Sequence, residues 1–598
     1  MKRFTDAIAS IVRGLFKAVS RFPLTVVCLI CATVLVCYMI SLHKQPDLIV
    51  EKLMFTFLLG AFLGVTAQFK CERFDRLSKL RLPVYGLSAL LTVGYYLIIL
   101  PAPRISSEVV IRTFVAVFAM FCAFIWVPSY RGKFDFNRIA LIHLKSAFTS
   151  VLYSGVLAAG CAAIIAAIDT LLFRVDSDTY GYMMAIIWIL FATIYYLSLL
   201  PRFNSEDENE REYAENAGQY PKFLEILVSY IAIPLVTAYT LVLTAYFIKI
   251  LVTLKWPSGQ LGLMVLAYSA AGLIIYILSS LIENRFAALY RMIFPKVLIP
   301  VVIMQLISVS IRLNAYGVTE SRYYVALFGI FSITCGIILS FKSVSKNSII
   351  ALLAAGFAIL SVLPPVDAFT ISRVSQINRL ETILESAGIL ADGKITPKAD
   401  VPMNLRLEST NILGYLDNRG YTKYVKWLPA DFKPYENKKI QSTLGFEPAY
   451  DTGKDMNNFF ANLDMQTPLN ISGYDIMFNT NSYRQMDKID QPSFDFEVRG
   501  EKYRLTLERL SAQECRVSVK NAAGAEVVGT GLYDFTKTLS GVGNRPKEAL
   551  DPETMTFNVE NNGYKLRIMF QNVSITNGGG SETGVDYGLF VFFGLPAR

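Results

Sequence analysis

Eleven apolar runs, each near the length of a bilayer crossing, fill the chain between Pro23 and Leu363 and constrain its fold more than any motif does. They fall at 23–42, 53–67, 83–100, 109–128, 147–172, 181–200, 223–254, 260–282, 297–311, 323–341 and 348–363. About 20 helical residues cross the hydrocarbon core of a membrane, where backbone amides find no water and must pair within their own segment. The runs are therefore expected to be transmembrane helices. Those starting at Leu53, Val297 and Ser348 are short; 223–254 is long, and Pro234 is placed to kink it. A mean hydropathy of +0.41, with 53% hydrophobic and 18% charged residues, is too apolar for a soluble chain of 598 residues.

The net charge of +9 does not point to nucleic acid, because Lys and Arg are scattered over short loops instead of forming one patch. Their distribution sets an orientation. With the N-terminus inside, the cytoplasmic segments hold twenty-two Lys and Arg and the opposite side holds nine. An odd number of crossings then places everything after Leu363 outside the cytoplasm. The acidic stretch from Arg202 to Tyr220 does not oppose this, since acidic residues count little in the rule, and it reads as a solvated connector. Residues 1–22 are expected to form a cytoplasmic basic amphipathic helix. Phe4, Ile8, Ile11, Val12, Leu15 and Val19 share one face, opposite Arg3, Arg13 and Lys17. No small-x-small cleavage site follows Pro23 to Leu42, so this segment does not read as a removable signal.

The most concentrated polar sequence in the membrane half is Arg312 to Tyr324, RLNAYGVTESRYY. It is expected to be an external hairpin between the ninth and tenth runs. Gly317 permits the turn, Tyr316, Tyr323 and Tyr324 suit the interface, and Arg312, Glu320 and Arg322 could pair as a latch touching the region after Pro365. This hairpin is the candidate functional stretch. Gln305 is the clearest polar residue at mid-depth and marks a candidate cavity, whereas Asp169, Glu225, Lys249, Glu283 and Arg285 fall near helix ends. Ion-coupled transport is disfavoured by that scarcity, because a charge buried in a membrane is costly unless it is used. Asp47 and Glu51, on a short first external loop, are the weak acidic candidates for a glycosyltransferase-like chemistry.

Other motifs carry little chemistry. With two His and no second Cys pair near Cys28-x-x-Cys31, no metal site is expected, and no cofactor. His143 and Lys145 are expected to reach lipid headgroups at the cytoplasmic end of the fifth run. Gly60-x-x-x-Gly64 allows close helix contact within the bundle. The stretch from Gly388 to Ile395 approximates a phosphate-binding loop, but it follows a helix and has Ile395 where Ser or Thr would hold magnesium; a helix cap and an Asp-Gly turn fit better.

Beyond Pro365 the composition changes. Asp367 to Gly388 reads as an amphipathic helix, and a short helix is expected around Asn411 to Asn418. From Tyr474 the periodicity becomes two, with strands starting near Phe494, Lys502, Glu514, Thr554, Gly563 and Asp586. Turns fall at Arg499-Gly500, Asn521 to Gly524 and Asn562-Gly563, and a flexible GGGS loop at Gly578. The expected fold is a mainly α polytopic membrane protein with a C-terminal extracytoplasmic α+β domain ending in an antiparallel β-sandwich-like sheet. Its expected division is 23–363 membrane domain, 364–470 juxtamembrane helical region and 471–598 β-rich domain.

RLNAYGVTESRYYVALFGIF, with VSQINRLETILESAGILADGKI downstream, resembles the bacterial family called domain of unknown function 4153, roughly as far as Gly393. The resemblance implies a multi-pass protein of the bacterial cytoplasmic membrane and carries no catalytic residues over. The residues point first to a non-enzymatic envelope protein, with the bilayer and an envelope protein or glycan as partners and no nucleic acid. A transporter or flippase of a neutral or lipid-like substrate is the next reading, and the glycosyltransferase-like enzyme the third.

Overall fold

The computed structural model describes residues 2–254, 261–429, 431–434, 436, 439–449, 459–483, 492–541, 549–576 and 584–596. The chain divides into two compact units, Met1–Pro448 and Ala449–Arg598.

The first unit is helical. Among the described residues, ten of its helices are long and apolar enough to cross a membrane: Pro23–Ser41, Leu48–Arg73, Arg81–Ile99, Ser107–Ser129, Phe136–Leu171, Asp178–Ser198, the apolar part of Glu208–Thr253, Leu261–Ser279, Arg285–Tyr316 and Glu320–Phe341. The eleventh run forms the shorter helix Ser348–Leu360. The runs that looked short at Leu53 and Val297 belong to helices of 26 and 32 residues, because flanking polar residues continue the helical hydrogen bonding. Pro234 is accommodated without a break. The turn before it, Leu227–Ala232, widens to π geometry, and Ile233 N bonds Val228 O, which shifts the ladder around the missing proline donor.

Gly60 and Gly64 serve packing inside the bundle. A Cβ on Gly64 would lie 2.5 Å from Thr25 Oγ1 and 2.8 Å from Thr25 N, and one on Gly60 would lie 2.8 Å from Cys28 Sγ. The helix Lys2–Arg21 precedes these spans; the side chains of Phe4 and Ile8 lie outside the described residues. Arg21 at its end pairs with Glu72 at 2.7 Å and donates to Leu200 O and Pro201 O, joining three polypeptide segments at one face. The acidic stretch after Arg202 is not a bare connector: it contains the helix Glu208–Ala217, capped by Asp207.

After the last apolar helix comes Ala368–Ser386, whose N-cap Asp367 accepts from Phe369 N and Thr370 N. Gly388, with φ of +69°, ends it, and β1 (Leu390–Ala391) and β2 (Lys394–Ile395) form a hairpin around Asp392-Gly393. The near-match to a phosphate loop is therefore a hairpin turn. A helix Met403–Asn418 follows, longer than the stretch legible around Asn411.

Among the described residues, the second unit holds two antiparallel sheets. One is the meander β5 (Ser493–Val498), β6 (Glu501–Arg509), β7 (Cys515–Asn521) and β8 (Glu526–Gly531). The other has the order β3 (Phe459–Asn462), β10 (Tyr564–Thr576), β11 (Gly584–Gly594), β4 (Ile476–Ser482), with β9 (Thr556–Asn561) pairing the first half of β10. Leu505, Val517 and Val528 from the first sheet and Ile568, Phe570 and Val591 from the second belong to one hydrophobic core. Arg499-Gly500 and Asn562-Gly563 all have positive φ, as two-residue hairpins of the primed type require. The GGGS run at Gly578 lies outside the described residues.

Candidate functional site

The polar hairpin is anchored by the segment that follows the last apolar helix. Arg285–Tyr316 ends at Gly317, whose φ of +68° lets the chain turn before Glu320–Phe341 begins. A Cβ at Gly317 would come within 2.8 Å of Gln376 Nε2, so glycine is required twice over. Gln376 donates to Tyr316 O and Val318 O at 3.1 and 2.9 Å, and Ser375 Oγ accepts from Val318 N at 2.9 Å. Tyr323 donates its hydroxyl proton to Val366 O at 2.6 Å. The turn's main chain is thus held by the helix Ala368–Ser386.

The expected latch forms with different partners. Glu320 is 2% exposed; its Oε1 accepts from Tyr421 Oη at 2.7 Å and its Oε2 lies 3.1 Å from Arg419 Nη1. Arg322 donates instead to Tyr316 O and Gly317 O, and the Tyr316 ring is flanked by the guanidinium groups of Arg322 and Arg379 at 5.4 and 5.8 Å. Arg312 is half-buried and makes no ion pair among the described residues. Tyr324 is half-buried beside Tyr323, with ring centroids 5.9 Å apart. Tyr421, Arg419, Arg112 and Asp367 were invisible as partners in the sequence. Asp367 is fully buried and stands 3.5 Å from Arg112, which also pairs with Glu108 at 2.8 Å. Burial, followed by the hydrogen bond to Glu320, pushes the Tyr421 phenol far above its ordinary range.

A second feature lies within the bundle. A cavity of about 1160 Å³ sits between two groups of packed helices. Its walls are largely apolar and rich in rings, including Phe55, Phe62, Phe118, Phe121, Phe328 and Phe331. Two polar side chains on its wall bond to the main chain, Thr25 Oγ1 to Ala61 O at 2.9 Å and Ser150 Oγ to Ala192 O at 2.6 Å, whereas His143, also on the wall, has its Nε2 buried without a hydrogen-bond partner among the described residues. His143 does not reach headgroups. It is 4% exposed, its Nδ1 is 2.6 Å from Tyr196 Oη, and the rings of Phe69, Phe124 and Phe203 surround it within about 6 Å. Packing against these rings outweighs snorkelling because His143 faces the bundle. Lys145, two residues on, faces outward and caps Ala217 O and Gln219 O at 2.8 and 2.9 Å.

Gln305 does not border this cavity. It is 1% exposed and its Nε2 donates to Gly262 O at 3.1 Å, a bond between helices. Asp47 and Glu51 stand at the start of Leu48–Arg73, and neither borders the small polar pocket beside Glu320. Their neighbour Lys52 is 3% exposed and donates to Leu100 O and Ala102 O at 2.6 Å each, capping the helix Arg81–Ile99. Among the described residues no cluster of His, Cys, Asp and Glu could hold a metal ion.

The family profile described as Domain of unknown function (DUF4153) matches residues 30–392, more than half of the chain. The chain belongs to this family. The match takes in most of the apolar cavity's lining, the polar hairpin and the helix that holds it; Thr25, Cys28 and Leu29 of the cavity wall precede it, and Arg419 and Tyr421 lie beyond it. The uncharacterized protein PM1469 of Pasteurella multocida (strain Pm70) is 23% identical over 327 residues, covering 52% of this chain and 54% of that protein. The chain thus spans about half the length of the curated relative it matches. No solved structure matches it. With ten helices of crossing length, this DUF4153 protein is an integral membrane protein associated with the lipid bilayer.

Proposed function

We propose that this DUF4153 protein is a non-enzymatic membrane protein of the bacterial cell envelope whose helical bundle holds a neutral, lipid-like molecule. The cavity of about 1160 Å³ carries this reading. Sites for drug-sized ligands occupy roughly 300–1,000 Å³. An apolar space of this size beside hydrocarbon is more favourably filled by an acyl or isoprenoid chain than by water, which would find few polar partners on walls where His143 Nε2 is the buried unpaired atom among the described residues. The absence of a free charge on the wall favours a neutral chain over an ionic solute.

The bias of Lys and Arg supports an inner-membrane protein with residues 1–22 in the cytoplasm and residues 364–470 and 471–598 outside it. In this arrangement the bundle presents the β-rich unit to the envelope, where it senses or scaffolds by binding an envelope protein or glycan. Occupancy of the cavity is the property it reports. The polar hairpin, Arg312 to Tyr324, ties the last crossings to the helix after Pro365 and is the connection through which bundle and juxtamembrane region act on each other.

Native mass spectrometry of the detergent-purified protein tests the cavity reading. Ala140 and Ala147 both line the cavity two turns apart on one helix face. The parent should retain a lipid-like adduct, and Ala140→Phe with Ala147→Phe should lose it while remaining folded by circular dichroism. Equal adducts on both proteins would overturn the reading.

A further inference from the structure

A separate pocket of about 170 Å³ lies beside the polar hairpin, and Arg104, Ser107, Glu108, Glu320, Arg419 and Tyr421 are among its walls. We propose that it binds a small zwitterion in which an anionic group, phosphate or carboxylate, is joined to a primary ammonium. This is independent of what fills the apolar cavity.

The wall carries two guanidinium and two carboxylate groups, so it is balanced in charge. Arg104 makes no hydrogen bond or ion pair among the described residues. It stands next to the first turn of the 23-residue helix Ser107–Ser129, where Ser106 Oγ accepts from the Val109 amide, the other leading amides lack helical acceptors and the helix dipole favours an anion. Gly420, with φ of +69°, keeps the space open: a Cβ there would lie 3.2 Å from Arg104 Nη2.

Glu320 is held from two directions yet retains acceptor capacity. Its Oε1 accepts the hydrogen bond of the Tyr421 hydroxyl, while its Oε2 has an ion pair with Arg419 but no aligned hydrogen bond. A carboxylate offers about four acceptor sites, and an ammonium supplies three donors. Glu108 is already neutralised by Arg112. A simple anion would meet two carboxylates and a simple cation two guanidinium groups. A zwitterion avoids both penalties. The pocket also sits where two crossings end, so the same chemistry could arrive as a lipid headgroup or as a free solute.

Thermal unfolding of the full-length protein in a phosphocholine detergent, whose headgroup has no ammonium proton, tests the assignment. O-Phosphoethanolamine and glycine are titrated to millimolar concentration, with ethanolamine and inorganic phosphate as controls. A parallel arm compares nanodiscs containing phosphatidylethanolamine with nanodiscs of phosphatidylcholine alone. A zwitterion should raise Tm by about 2–4 °C at saturation, with neither control doing so. Arg104→Gln should lose the response without moving the unliganded Tm, and Arg104→Lys should retain part of it. A response to the solute identifies a free ligand, and one confined to phosphatidylethanolamine nanodiscs identifies a headgroup. No response in either arm, or an equal response in Arg104→Gln, would overturn the proposal.

Discussion

The contact between Glu320 and Tyr421 offers the sharpest energetic test of how the hairpin is held. Both residues are almost fully buried, and the 2.7 Å bond joins positions 101 residues apart. A hydrogen bond to a charged group contributes about 1.5–3 kcal/mol, and a buried acceptor left without its donor costs a similar amount. Arg419 is 34% exposed, so water screens its pairing with Glu320 to below about 1 kcal/mol. Tyr421→Phe should therefore destabilise the protein by about 2–3 kcal/mol. Glu320→Gln keeps a neutral acceptor for the phenol and should cost less, about 1–2 kcal/mol. The double variant should fall short of the sum by about 1–2 kcal/mol, since both changes remove one interaction. Equilibrium unfolding in mixed micelles gives the four stabilities, and tryptic cleavage after Arg419 and Lys423 should accelerate in both single variants. Additive losses, or a Tyr421→Phe effect below about 0.5 kcal/mol, would refute the reasoning and reduce the hairpin to a plain loop.

Three further outcomes follow from local geometry. Gly64→Ala places a methyl group against Thr25 main chain and should lower stability by about 1–3 kcal/mol, read in the same micelle titration. Asp367→Ala removes the acceptor for Phe369 N and Thr370 N and the partner of Arg112; it should cost about 1–2 kcal/mol and increase hydrogen exchange at the start of Ala368–Ser386. The raised pKa of Tyr421 predicts a pH dependence. Above about pH 10 the unfolded chain releases the phenolic proton that the folded chain keeps, so stability falls as pH rises, and Tyr421→Phe should flatten that slope.

The architecture was legible because bilayer crossings and half-buried strands are written in local periodicity. The runs at 23–42 and 323–341 nearly coincide with Pro23–Ser41 and Glu320–Phe341, and the alternation at Lys502 and Glu514 with β6 and β7. Boundaries failed where helices run beyond the apolar stretch, as at Lys70 and Arg285, because hydrogen bonding continues into polar sequence. Strand β8 was missed because EVVGTG is short and glycine-rich, and β4 because IMFNTNS has weak alternation.

The site was legible only in part. Gly317 and the tyrosines announced a turn at the interface, but the partner of Glu320 comes from a helix end a hundred residues away, which no local pattern encodes. Gln305 attracted notice as a lone polar residue at depth, yet its Nε2 donates to a carbonyl between helices. The cavity had a faint signature: Phe136, Ala140, His143, Leu144, Ala147, Ser150 and Val151 recur on one helix face, with small residues where bulk would fill the space. That pattern reads as ordinary packing until the opposing helices are in place.

An experimental structure of the full-length protein in lipid nanodiscs is the most direct test of the bundle as a holder of a lipid-like molecule. The account predicts elongated density beside Phe121, Phe328 and Phe331, with no ionic group near it. A bundle in which those side chains close together and leave no room for a chain would contradict it.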